Sequence, residues 1–149
     1  MKKFEFRLGA ALRWRNTQLQ LERAKLQKLL SEEQQWKRGL QSLLDERTRS
    51  LSDLATWERL QWSDLRAASA YSMGADLRAH ALREKIVRLA GPIQQQRERL
   101  LQAERNVRLL EKIRDNRYAE WKLELDKEIE LTAEESWLAA NFRTSHSEI

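Results

Sequence analysis

The stretch that decides the fold is Ala79–Trp121, AHALREKIVRLAGPIQQQRERLLQAERNVRLLEKIRDNRYAEW. Every seventh residue from Ala79 gives Ala79, Ile86, Ile93, Leu100, Val107, Arg114 and Trp121. Every seventh from Leu82 gives Leu82, Leu89, Gln96, Ala103, Leu110, Arg117 and Glu124. The two series are offset by three and four residues, so they form one stripe along a helix. Between Ala79 and Leu110 only Gln96 breaks its apolar character. This is the a/d seam of a coiled coil, sustained over several heptads. A stripe this narrow is no core by itself. It requires a long partner helix, and the first half of the chain supplies one.

In that first half, Leu12, Leu19 and Leu26 repeat at seven. Leu29, Trp36, Leu43 and Trp57 form a second line, and Leu30, Leu44, Leu51 and Leu65 a third. The face is broader than the later one, and its phase drifts. The pattern predicts a first helix over about 8–70, spanning roughly 90 Å. The small residues Ala68-Ser69-Ala70, with Ser72 and Gly74, place the reversal at about 69–75. A second helix then runs over about 76–140, followed by a frayed tail over 141–149. Gly91-Pro92 interrupts the second helix chemically, but the heptad phase passes through it unchanged. We therefore read a kink and not a loop. The whole chain is expected to be one all-α domain, a long antiparallel two-helix coiled-coil hairpin.

Composition agrees. Of 149 residues, 34 % are charged and 41 % hydrophobic, and only four Gly and one Pro are available as breakers. Long solvated helices have this profile. The absence of cysteine removes disulfide and thiol chemistry and suits a reducing compartment. No apolar run approaches the roughly 20 residues of a membrane span, and the basic opening lacks the apolar centre of a signal peptide. A cytoplasmic location is the expectation.

Charge is distributed unevenly. Residues 1–30 carry eight Lys/Arg against Glu5 and Glu22, about +6. Residues 119–149 carry Lys122, Lys127 and Arg143 against eight carboxylates, about −5. Antiparallel pairing places these complementary ends side by side, whereas a parallel pairing of two copies would oppose like charges. The preference is mild, because exposed ion pairs contribute under about 1 kcal/mol each.

No catalytic constellation is visible. His80 and His146 have no local companions for a zinc site, there is no phosphate-cradling Gly-rich loop, and the many Glu residues have the spacing of a solvated helix face. We expect no enzyme, no metal and no cofactor. The basic start raises nucleic-acid binding, but no base-reading motif or Gly/Arg-rich segment accompanies it, and pairing with the acidic end is favoured. A membrane-surface role for residues 1–30 ranks below a protein partner. Six tryptophans remain. Trp36 and Trp57 lie on the apolar line of the first helix and are expected in the core. Trp62 is either seam packing or a partner contact. Trp14 and Trp121 are expected to pack across the hairpin, and Trp137 fits either role.

The opening Lys3-Phe4-Glu5-Phe6-Arg7-Leu8, followed by Ala11-Leu12-Arg13-Trp14-Arg15, resembles the start of the flagellar FliJ family, which typically reads Phe-x-Phe-x-Leu and then Leu among basic residues. The stretch from Glu104 to Glu128, with Val107, Leu109-Leu110-Glu111-Lys112-Ile113 and Tyr118-Ala119-Glu120-Trp121, resembles the end of that family's second helix. Leu131-Thr132-Ala133-Glu134-Glu135 departs from it, since many members carry an Asp-Glu pair there after a basic residue. The resemblance implies a two-helix stalk of the type III export apparatus, cytoplasmic and peripheral to the inner membrane. The partners it implies are the export ATPase ring, FliI-like, the export gate protein, FlhA-like, and export chaperones, with no nucleic acid. By position along the stalk, Arg7, Arg13, Arg15, Arg23, Glu124 and Glu128 would contact the ATPase. Trp57, Gln61, Trp62, Leu82 and Ile86 would contact the gate. The competing readings are the YscO group of virulence secretion stalks, a generic coiled-coil scaffold, and an RNA-binding helical arm.

Overall fold

A computed structural model of the chain describes residues 2–146. It contains two long helices, α1 (Gly9–Ala55) and α2 (Trp62–His146), and no strand among the described residues. The chain divides into two compact units. One is Leu19–Ala103, and the other joins the residues up to Gln18 with those from Glu104 onward.

Within Leu19–Ala103 the helices run antiparallel, because partner numbers fall on α2 as they rise on α1. Glu22 meets Gln96, Trp36 lies under the Lys85 ammonium at 4.4 Å, and Arg47 pairs with Asp76. The expected seam is present. Ala75, Ala79, Ile93 and Gln96 are buried, and Leu82, Ile86, Leu89, Leu100 and Ala103 are half-buried in the same three–four rhythm. Leu19 is a buried residue on the part of α1 that belongs to this unit. Two helices alone cannot enclose large side chains on all sides, so most layers remain half-covered. Each contributes less than the roughly 1.5–3 kcal/mol of a fully buried aliphatic.

The reversal differs from the sequence expectation. It lies at residues 56–61, so α1 ends fifteen positions before the expected 70 and α2 begins at 62 rather than 76. The physical reason is local bonding. Thr56 closes α1 by donating its amide (3.1 Å) and its hydroxyl (2.7 Å) to the Asp53 carbonyl. At the other side the Asp64 carboxylate accepts the Gln61 amide at 3.1 Å, which is the reciprocal half of a capping box. The small residues over 68–75 do not turn. Ala is the best helix former, and here Ala75 is only 1 % exposed, the most covered of the core residues. Ala75 is a packing residue, Ala68, Ser72 and Gly74 are half-buried, and Ser69 and Ala70 face outward on the helix. Helix α2 passes through Pro92 without ending, as the preserved phase requires.

In the second unit the lead-in, residues 2–8, is not helical. Phe6 and Gly9 close a turn through Gly9 N–H to Phe6 O at 3.0 Å, and α1 starts there. Phe4 and Phe6 are half-buried while Lys3, Glu5 and Arg7 are exposed, the alternation of an extended segment. Leu12 and Val107 form the buried layer of this unit. The frayed tail expected over 141–149 is helical through His146, and residues 147–149 lie outside the described residues.

Candidate interaction surfaces

The residues of the aromatic opening come together with the end of the coiled-coil seam. The Phe4 ring meets Tyr118 edge-on, centroids 5.2 Å apart at 82°, and lies 5.7 Å from the Trp121 ring, which is itself 5.6 Å from Tyr118. The Trp121 indole N–H donates to the Lys2 carbonyl at 3.2 Å. Edge-on and tilted contacts of this kind are the arrangements that ring quadrupoles favour. A groove of about 490 Å³ remains beside this cluster, lined by the lead-in and by Arg117, Glu120, Trp121 and Glu124 of α2. The expectation that Trp14 packs against Trp121 fails. Trp14 is 55 % exposed and carries the Arg15 guanidinium over its ring at 4.8 Å, and Phe4 takes the place on Trp121.

Beyond Leu125, α2 has no cover. Every residue from Asp126 to Ser145 is exposed, including Leu131, Trp137, Leu138 and Phe142. A single helix in water is marginal without a packed face, so this segment presents both acidic charge and uncovered apolar side chains.

The residues expected to contact an ATPase divide accordingly. Arg7 and Arg13 are exposed on the basic start and Arg15 is occupied by Trp14. Arg23 is exposed in the other unit, Glu124 lines the groove beside the lead-in, and Glu128 stands on the uncovered part of α2. The complementary charges meet only loosely. Among the described residues, Lys2, Lys3 and Arg7 form no ion pair with Glu120 or Glu124.

The residues expected to contact a gate do not form one surface. Trp57, Gln61 and Trp62 gather at the reversal, where Trp57 is exposed, against the expectation of a core position, and Trp62 is 79 % exposed. Chain termination of α1 at Ala55 leaves Trp57 outside the helix whose apolar line predicted its burial. Leu82 and Ile86 are half-buried in the seam, roughly 30 Å further along α2. Trp36 is half-buried in the seam, as its heptad position implies.

One polar layer in the seam is a built feature. Gln96 is 4 % exposed, and its amide N–H donates to the Glu22 backbone carbonyl at 3.1 Å and to the Glu22 carboxylate. That hydrogen bond, helped by Lys25 at 3.4 Å and by Arg99, holds the Glu22 carboxyl below its ordinary value despite its partial burial. Sequence reading found Gln96 as a gap in the stripe, but its partner on α1 depends on register, which no local signal supplies.

Among the described residues there is no group of three or more His, Cys, Asp or Glu placed to hold a metal ion, and no helix long and apolar enough to cross a membrane. His80 pairs along its own helix with Glu84 at 3.2 Å. The described residues form an all-α protein of two long helices. Comparison with protein-family models, with curated proteins and with solved structures yields no match to the chain.

Proposed function

We propose that this chain is a non-enzymatic helical stalk of a type III protein export apparatus, of the flagellar kind. In this reading it binds and activates the export ATPase ring and links it to the export gate at the cytoplasmic side of the membrane. The single observation that carries the reading is the uncovered end of α2: twenty residues, Asp126 to Ser145, all exposed, with acidic charge and bare Leu131, Trp137, Leu138 and Phe142. A free monomer gains nothing from such a segment, whereas a helix received by a ring of subunits would bury it. The Phe-x-Phe opening and the Val107–Trp121 stretch, on which the family resemblance rests, support the same reading. An asymmetric helix inside a ring of identical subunits would touch each differently and so bias their conformations differently.

The test is ATP hydrolysis by the cognate export ATPase with this protein titrated in at physiological salt. Saturable stimulation is expected, and it is lost when Arg13, Arg15 and Arg23 are reversed to Glu. An active ATPase that is neither stimulated nor co-sedimented sinks the reading.

A further inference from the structure

The docking of residues 2–8 is incomplete in three respects. The segment lacks the internal ladder of a helix, and among the described residues its one backbone link to α2 is the Trp121 bond to the Lys2 carbonyl. Its Phe4 and Phe6 rings are only half-buried, and a groove of about 490 Å³ stays open beside them. Its Lys2, Lys3 and Arg7 are opposite in sign to Glu120 and Glu124, which line that groove, yet no ion pair forms between them among the described residues. Ordering backbone costs about 1–2 kcal/mol per residue, and aromatic contacts return about 0.5–1.5 each beyond their burial. The ordering cost of seven residues is set against few contacts, so the segment is held weakly and a better-fitting segment can take its place.

We propose that the α2 surface centred on Tyr118 and Trp121 is a docking site for an extended basic–aromatic segment of a partner protein, and that the chain's own residues 2–8 occupy it as an internal competitor. The chemistry of the partner is read from the occupant. Alternate aromatic side chains seat against Tyr118 and Trp121, as Phe4 does. The cations flank the rings, as Lys2, Lys3 and Arg7 do in the occupant, and are opposite in sign to Glu120 and Glu124 of the groove lining, while Glu5 stands between the two rings. The site is also continuous with the uncovered face of α2 beyond Leu125, so a partner longer than the lead-in has further surface to engage. This inference stands apart from the export reading, and no ATPase enters its test.

The probe is a fluorescein-labelled peptide of sequence Lys-Lys-Phe-Glu-Phe-Arg-Leu, titrated by anisotropy into the full chain and into its Phe4→Ala variant. Weakening the internal competitor raises the competent fraction, so Phe4→Ala is expected to bind the peptide at least about fivefold more tightly than the parent. Adding Trp121→Ala to that variant is expected to abolish binding, and Glu120→Lys with Glu124→Lys to weaken it in a salt-dependent way. Circular dichroism on each variant checks that the helices persist. Equal affinity for parent and Phe4→Ala, no binding to either, or binding that survives Trp121→Ala would overturn the proposal. So would sedimentation showing that Phe4→Ala and parent chains exchange these segments as dimers, because the site would then serve a second copy.

Discussion

The two compact units solve the same packing problem differently. In Leu19–Ala103, helix meets helix through a repeating seam with Ala75, Ala79, Ile93 and Gln96 sealed inside. In the unit built from the chain's start and the residues from Glu104 onward, Leu12 and Val107 alone are sealed among the described residues, and an extended segment replaces a helix against Tyr118 and Trp121. The first arrangement spreads its stability over many layers. The second concentrates it in one aromatic cluster and leaves a long helix face unused. Regularity serves stiffness, and irregularity leaves surface for contacts.

The contrast is most directly broken at Ile93, which is 5 % exposed. Ile93→Ala is expected to cost about 2–4 kcal/mol, the range for truncating a buried aliphatic, whereas Leu131→Ala on the uncovered helix changes stability by under about 0.5 kcal/mol. Urea unfolding followed by circular dichroism reads both, and comparable losses would erase the distinction. Next in size is Trp121→Ala. It removes two ring contacts and the bond to Lys2 and is expected to cost about 1–2 kcal/mol locally. Its signature is faster amide exchange in residues 2–8 with little change in Leu19–Ala103.

Smaller in stability but sharper in meaning is Gln96→Leu. Replacing a buried polar layer by an apolar one is expected to leave stability within about 1 kcal/mol or raise it, while permitting slippage of the helices. Paired spin labels at Arg47 and Asp76 are expected to show one distance in the parent and a broadened distribution in the variant. The smallest effect is that of pH on Glu22. Its carboxyl is held below the ordinary value when folded, so its contribution is complete above the unfolded carboxylate range and is lost as pH falls through the lower, folded value. Glu22→Gln is expected to flatten that part of the acid-unfolding curve, and an unchanged curve would show that the hydrogen bond from Gln96 carries no weight.

The seam on α2 was legible in the sequence from Ala79 to Leu110 because its burial period follows directly from the heptad. Helical continuity through Pro92 was legible for the same reason. The reversal was not. Small residues over 68–75 resemble a turn by composition but lie inside α2, while the actual connection, Thr56 to Gln61, contains neither Gly nor Pro. The signal that was present is Gln61 with Asp64 three residues later, a cap pattern weaker than a glycine. Of the contact candidates, those near the reversal gather and those in the seam do not, because Leu82 and Ile86 belong to the stripe that defines the fold. The partner of Trp121 was missed because the period-two alternation around Phe4 and Phe6 marks an extended segment without indicating the surface it packs on.

The bond between Trp121 and Lys2 joins positions 119 residues apart. On a ribosome making about 5–20 residues per second, the Phe4 and Phe6 rings therefore wait roughly 6–24 s for the surface that covers them. During that interval the nascent chain displays a bare basic–aromatic segment to every protein near the exit tunnel. The cover of Phe4 waits for Tyr118 and Trp121 to be made.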